Sequence, residues 1–93
     1  MDHIRVIDDP EARRYELRRG SEVVGTAAYE VDGGQVTFTH TVVPPEDSGQ
    51  GYGSRLIAGA LQDVRRRGLW VVPRCPFVAA YVREHPQEQD LLA

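Results

Sequence analysis

Glycines alternating with other residues form the part of the sequence best suited to binding chemistry. They lie in the run SGQGYG at 48–53, between a stretch with the period of a β-strand and one with the period of an α-helix. Such a junction directs unpaired backbone N–H groups at one point, where the positive end of the helix dipole also lies. Because glycine has no Cβ, a diphosphate can approach its backbone closely. The run predicts an anion-binding loop; the alternative is a tight turn in which the glycines only permit close packing.

Cys75 is the one cysteine of the chain and a candidate nucleophile. It precedes Pro76, a residue suited to the first turn of a helix, and follows Arg74. A helix N-terminus and a neighbouring cation both favour the thiolate, so the side chain could accept an acyl group. The alternative is an inert, buried cysteine, since free cysteines are among the most buried residue types.

His40 is a candidate general base, because the intrinsic pKa of imidazole lies near ~6.5. Alternation with period two from Gln35 to Val43 places His40 on one strand face together with Val36, Phe38 and Val42. That face points to either a core or a cleft. The alternative role for His40 is therefore a hydrogen-bonded histidine of the core.

Composition excludes several classes of function. The chain has 93 residues, with 11 basic and 14 acidic side chains and a formal net charge of −3, so it lacks the basic excess that binding nucleic acid requires. All the basic residues are arginine, which excludes a Walker loop and a Schiff-base lysine. A single cysteine and scattered histidines predict no disulfide and no metal site. The start, Met1 to Val6, lacks the pattern of a secretory leader, and no apolar run is long enough to span a membrane, so we expect a cytoplasmic protein.

The periodicity predicts a single α+β domain over 1–93, whose mostly antiparallel mixed sheet carries one β-α-β crossover and two main helices. Asp32-Gly33-Gly34 predicts a hairpin, and Gly68 predicts the left-handed cap of the first helix. The run 69–72 is continuously apolar, which is typical of a strand buried on both faces. We assign no structure to 87–93. The predicted strands are 4–7, 15–18, 23–31, 35–43 and 69–72, and the predicted helices are 52–67 and 76–85.

Two segments resemble a known family. Val43-Pro44-Pro45 followed by the run at 48–56 resembles motif A of the GNAT superfamily of acyl-CoA N-acyltransferases. The run from Gly68 to Pro86, with its Cys-Pro-Phe-Val segment, is similar to the compact single-domain GNAT-like subfamily. Together these segments cover roughly half of the chain. The family pattern begins with Gln or Arg at the position where this chain has Ser48.

The resemblance implies that the glycine loop binds the pyrophosphate of acetyl-CoA or coenzyme A through backbone N–H groups. The pantetheine arm would lie where the strands at 35–43 and 69–72 splay apart. Tyr81 matches the tyrosine that many GNAT enzymes place near the coenzyme sulfur, where its phenol would protonate the leaving thiolate; the alternative is a half-buried aromatic of the inner helix face. The implied cofactor-binding residues are Val42, Val43, Ser48, Gly49, Gln50, Gly51, Tyr52, Gly53 and Ser54.

The leading hypothesis is a small N-acetyltransferase that moves acetyl from acetyl-CoA to an amine, with Cys75, Tyr81 and His40 as the candidate catalytic residues. GNAT domains of ordinary size insert helices between their first two strands, which wall the acceptor pocket, and here only 8–13 separates those strands. The acceptor is then a large surface such as a protein, or a second copy of the chain completes the site, or no acceptor exists. We expect the protein to be a monomer or a homodimer. The alternative functions are a non-catalytic CoA-binding module and a protein-interaction domain.

Overall fold

The computed structural model of the protein describes residues 3–93. Met1 and Asp2, the first residues of the segment that we do not expect to be a secretory leader, lie outside this range. The order of the elements is the predicted one. The strands are β1 (Ile4–Asp9), β2 (Arg14–Arg19), β3 (Glu22–Asp32), β4 (Gln35–Val42) and β5 (Trp70–Pro73). The helices are α1 (Tyr52–Arg66), α2 (Pro76–Glu84) and two 3-10 segments, Pro45–Asp47 and Pro86–Leu91.

The strands form one sheet in the order β1-β2-β3-β4-β5. The first four are joined by antiparallel pairings, whereas β4 and β5 are parallel and are connected through α1. This arrangement confirms the α+β prediction and its single β-α-β crossover. The β3–β4 hairpin turns at Gly33 and Gly34, whose φ angles of 55° and 86° favour glycine.

Helix α1 covers one face of the sheet with its apolar side. The period near 3.6 places the buried side chains along one stripe, and polar residues occupy the rest of the helix surface. A hydrogen bond of 2.7 Å from the Tyr15 hydroxyl to Asp63 joins β2 to the helix. The helix ends before Gly68, whose φ of 71° confirms the predicted left-handed cap. The buried residues of α1 are Tyr52, Leu56, Ile57, Ala60, Leu61 and Val64.

Strand β4 contains an irregularity that reverses its alternation. The pairing with β3 shifts between Ala28 and Tyr29, so that His40 lies opposite Ala28 whereas Phe38 lies opposite Tyr29. The extra residue, Thr39, transfers the following side chains to the other face. Val36 and Phe38 are buried, but His40 is exposed and Val42 is 57% exposed. The prediction that these four side chains share one face is therefore wrong, and His40 is not a core histidine.

Strand β5 is an edge strand rather than a strand buried on both faces. Val71 is completely buried against the core, but Trp70 is 52% exposed. The prediction failed because a continuous apolar run is also compatible with a short edge strand that has only one covered face. The outer side of β5 is met by the end of the chain, where Val71 forms a parallel bridge with Leu92 and accepts a hydrogen bond from the Ala93 N–H.

Close contact between α1 and β1 makes Gly59 a position that is sensitive to substitution. A Cβ built at Gly59 would lie 2.4 Å from Cγ2 of Val6, which is far inside van der Waals contact. We expect Gly59→Ala to lower the free energy of unfolding by about 1–3 kcal/mol, the usual cost of overpacking, as measured by urea denaturation. The double variant Val6→Ala, Gly59→Ala removes the contact with Cγ2 and leaves the one with Cβ at 2.8 Å, so it should recover part of this loss. Equal stability of Gly59→Ala and the parent protein would contradict the close packing.

Candidate functional site

The glycine loop has a backbone conformation that depends on glycine. Gly49 and Gly51 have φ angles of 81° and 74°, and Gly51 is the N-cap residue of α1. Alternation of left-handed and ordinary residues turns successive N–H groups to the same side of the chain, as in an anion-binding nest. The loop begins at Ser48, whose hydroxyl donates a 2.8 Å hydrogen bond to the Pro45 carbonyl. The Ser48 side chain is thus turned back toward the preceding 3-10 segment.

The backbone N–H groups of 49–54 have no hydrogen-bond partner among residues 3–93. The first helical hydrogen bond runs from Arg55 N–H to the Gly51 carbonyl, so the preceding donors remain available. They meet at the N-terminus of a 15-residue helix, where the macrodipole favours negative charge. The site therefore suits a phosphate or diphosphate. A cavity of about 240 Å³ adjoins the loop and is lined by Val43, Asp47, Ser48, Gly49, Gly51, Tyr52, Gly53, Ser54 and Phe77.

Polar contacts behind the loop hold it against the sheet. Tyr52, the first residue of α1, is buried, and its hydroxyl accepts a 3.0 Å hydrogen bond from Arg19 at the end of β2. The same guanidinium lies 3.7 Å from the carboxylate of the buried Asp47, in the 3-10 segment before the loop. Arg19 thus ties both ends of the loop to β2. Sequence reasoning missed this role because Arg19 and Tyr52 are 33 positions apart.

Gly53 brings the loop into contact with the second helix. A Cβ at Gly53 would lie 2.7 Å from Cζ of Phe77, so the aromatic ring rests directly on the glycine backbone. Phe77 lies in the first turn of α2, directly after Cys75 and Pro76. The third glycine of the loop therefore serves packing, as the alternative interpretation of the sequence proposed, whereas Gly49 and Gly51 serve backbone conformation.

Strands β4 and β5 part beside this loop. Their pairing runs from Gln35 opposite Trp70 to Phe38 opposite Pro73, and β4 then continues to Val42 paired with β3 but not with β5. The chain leaves β5 through Cys75, whose N–H donates a 2.8 Å hydrogen bond to the Phe38 carbonyl. The edge of β4 beyond Phe38 consequently has no strand partner on the β5 side, where the Thr41 N–H is directed at the Cys75 sulfur.

Cys75 lies at the base of this opening, at the N-cap of α2. Its side chain is 4% exposed, and its sulfur lies 3.3 Å from Oγ1 of Thr41. Burial raises the pKa of the Cys75 thiol, but hydrogen bonds from the Thr41 hydroxyl and from the backbone N–H groups of Val78 and Phe77 outweigh this effect and hold the pKa below its usual value. The thiol is thus buried, and the surrounding donors favour its ionised form. Thr41 was not predicted as part of the site, because it reaches Cys75 only through the irregularity in β4.

Tyr81 is half-buried on α2, one helical turn after Val78. Its ring stacks on His85 with the centroids 3.8 Å apart, and Nδ1 of His85 lies 2.7 Å from the Tyr81 carbonyl oxygen. Burial, together with the charge of Glu88, raises the pKa of the Tyr81 phenol. Its hydroxyl makes no hydrogen bond within the described part of the chain. No contact recorded for residues 3–93 joins it to Cys75.

The remaining predicted residues divide between the site and its surroundings. Val43 lines the loop cavity, whereas Val42 and His40 project from the face of the sheet opposite to Thr41 and Cys75. Gln50 is exposed at the loop tip. Among residues 3–93 the structure contains no group of three or more potential metal ligands, and none of the described helices has the length and apolarity needed to cross a bilayer.

Comparison with known proteins agrees with this geometry. A family model described as GCN5-related N-acetyl-transferase matches residues 14–91. A GCN5-like protein from Staphylococcus aureus, solved by NMR, is 20% identical and has a TM-score of 0.74 over 100% of this chain and 91% of its own. A search of curated protein sequences finds no match.

Two further solved structures share the fold. The ribosomal-protein-S18-alanine N-acetyltransferase from Escherichia coli is 16% identical, with a TM-score of 0.62 over 90% of this chain and 75% of its own. A GNAT-family protein from Desulfovibrio desulfuricans is 20% identical, with a TM-score of 0.56 over 81% of this chain and 52% of its own. Because the family model matches most of the sequence, the chain belongs to the GCN5-related N-acetyltransferase family.

Proposed function

We propose that the protein transfers an acetyl group from acetyl-CoA to an amine. The observation that carries this proposal is the run of unpaired backbone N–H groups at 49–54, placed at a helix N-terminus beside a splayed strand pair. These donors would bind the coenzyme pyrophosphate. The open edge of β4 beyond Phe38 would pair with the amide groups of the pantetheine arm, which directs the thioester toward the N-terminus of α2.

Cys75 is the proposed acyl acceptor. Its thiolate attacks the thioester carbonyl carbon, a new C–S bond forms, and the bond to the coenzyme sulfur breaks. Tyr81 is the proposed donor of the proton that the departing coenzyme thiolate takes up. A neutral amine then attacks acetyl-Cys75, forming an amide and releasing the Cys75 thiolate, while the amine proton passes to water. Direct transfer from acetyl-CoA to the amine is the competing route, and it needs no adduct.

A protein amine is the acceptor class that the structure suits best. Only the positions between Asp9 and Arg14 connect β1 to β2, so no helix there encloses a small acceptor. The Escherichia coli neighbour is named for acting on an alanine of a ribosomal protein. The same short connection also favours the second candidate, a CoA-binding module without an acceptor. An acceptor screen with peptides, monitored by release of free coenzyme thiol, distinguishes these two functions.

Thermal unfolding with and without acetyl-CoA tests the cofactor. A ligand at about 100 times its dissociation constant stabilises the folded state by about 2.7 kcal/mol. For a domain of this size, the unfolding midpoint should rise by about 10 °C or more. Adenosine without phosphate is the control, and it should leave the midpoint unchanged. An unchanged midpoint at about 1 mM acetyl-CoA would exclude coenzyme binding and favour a protein-interaction domain.

A further inference from the structure

The outer strand β1 has a free backbone edge. The Gly20 N–H donates a 2.9 Å hydrogen bond to the His3 carbonyl, and the register continues with Arg5 opposite Arg18 and Ile7 opposite Glu16. Backbone groups alternate in direction along an antiparallel strand. Those of His3, Arg5 and Ile7 therefore point to β2. Those of Ile4, Val6 and Asp8 point outward, and no hydrogen bond within residues 3–93 satisfies them on that side.

Two charged side chains of this strand, Arg5 and Asp9, make no ion pair within residues 3–93. Arg5 is exposed and lies opposite Arg18, whose guanidinium is already bound to Glu16 at 2.6 Å. Asp9 lies opposite Arg14, whose guanidinium is bound to Glu16 at 2.8 Å. The contact recorded for the Asp9 carboxylate is a 3.3 Å hydrogen bond from the Ala12 N–H. Like charges directly opposite each other on a sheet are unfavourable, so an acid from outside the chain would be stabilising beside Arg5.

These charges are arranged so that β1 complements itself. Arg5, Ile7 and Asp9 alternate along one face of the strand, with the cation at one end, the anion at the other and the apolar residue between them. When two such strands run antiparallel about a twofold axis at Ile7, each Ile7 faces its copy and each Arg5 faces Asp9 of the second copy. The outward backbone groups of Val6 then meet those of Asp8 of the second copy, which forms hydrogen-bonded pairs on both sides of the axis.

We propose that two copies of this chain associate through β1 in this register, extending the sheet across the pair. Other registers fit less well. A shift by two residues places Arg5 opposite Ile7 or, in the other direction, places the like charges of the two Asp8 side chains opposite each other. A shift by four places Arg5 opposite Arg5 of the second copy, and a shift by one turns backbone groups that already bond β2 toward the partner. Pro10, which lacks an N–H, ends the ladder. The contact involves far fewer than the roughly 20–30 residues a side of a standard interface, so the dimer is weak, with a dissociation constant on the order of 0.1–1 mM.

Sedimentation equilibrium of charge variants at low ionic strength tests the dimer and its register. Arg5→Asp turns two attractive contacts into repulsions and should weaken dimerisation about tenfold, as should Asp9→Arg. The double variant Arg5→Asp, Asp9→Arg restores opposite charges and should return to the parent affinity. Arg83→Asp makes the same charge change on an exposed position of α2, away from β1, and should leave the affinity unchanged.

Two results would overturn the proposal. The first is a monomer throughout the concentration range up to about 1 mM. The second is a double variant that dimerises no better than the single ones, because the register predicts that the swapped charges meet again. An independent readout is the concentration dependence of the amide resonances in an NMR spectrum. The amides of Val6 and Asp8 should shift on dilution, and unchanged shifts there, beside changes on another surface, would assign the contact to a different interface.

Discussion

A Gly51→Glu variant should lose at least about 100-fold in affinity for acetyl-CoA. Gly51 has a φ of 74°, and nothing lies within 4 Å of a Cβ built there, so a side chain meets strain in the backbone rather than a clash. The left-handed conformation costs a residue other than glycine about 1–2 kcal/mol. The added carboxylate also lies among the N–H groups that we assign to the pyrophosphate, where it repels the ligand and competes for its donors. Isothermal titration calorimetry measures the loss.

Gly68→Glu is a matched control for this experiment. Gly68 has a φ of 71° and equally open surroundings, but it lies beyond the other end of α1. Its substitution by glutamate imposes a similar backbone strain and the same change in charge, so it should reduce stability without changing the affinity. Gly51→Ala separates the two effects at the site itself, since it introduces strain but no charge. If Gly51→Glu and Gly68→Glu bound acetyl-CoA equally well, the assignment of the loop would fail.

Cys75→Ala should abolish the acetyl adduct and lower turnover by at least about 100-fold, because removing a nucleophile eliminates the covalent route. Intact-mass spectrometry after exposure to acetyl-CoA measures the adduct. In the parent protein we expect one added acetyl group that hydroxylamine removes, as a thioester requires. Tyr81→Phe is the companion variant. It keeps the ring stacked on His85 but removes the proton donor, so it should acquire the adduct more slowly. Full turnover in Cys75→Ala would establish direct transfer instead.

Thr41→Val tests the activation of the thiol at nearly constant volume. The Thr41 hydroxyl lies 3.3 Å from the sulfur and helps to lower the pKa of Cys75, so its removal should raise that pKa. The thiolate is the reactive form, and the rate of acylation should therefore rise at a higher pH in the variant than in the parent protein. Thr37→Val, on the same strand but before the irregularity, is the control. Coincident pH profiles for Thr41→Val and the parent protein would show that the hydroxyl does not tune the thiol.

Local features of the sequence were sufficient to predict the elements and the loop. The apolar period of α1, the cap at Gly68 and the hairpin at Gly33 depend on neighbouring residues, and the structure confirms them. The orientation of His40 was not predictable in this way. It depends on how β4 pairs with β3, where one extra residue exchanges the two faces. Periodicity measured along a single strand contains no information about its partner.

The contacts that complete the site are also long-range. Thr41 and Cys75 are 34 positions apart, and they meet only after β4, α1 and β5 have formed. Gly53 and Phe77 are brought together in the same way. Residue types at fixed spacing indicate a phosphate loop because such a loop is built from consecutive residues. A thiol and the hydroxyl that activates it can lie on any two elements, so no spacing identifies the pair.

The unpaired stretch of β4 beyond Phe38 also bears on the solubility of the protein. Exposed strand edges favour pairing between molecules and hence aggregation. A ligand that bonds to this edge occupies the same backbone groups that another chain would need. A bound coenzyme would then block pairing of this edge with another molecule, and its release would expose the edge again. We expect the ligand-free protein to aggregate at a lower concentration than the protein saturated with acetyl-CoA.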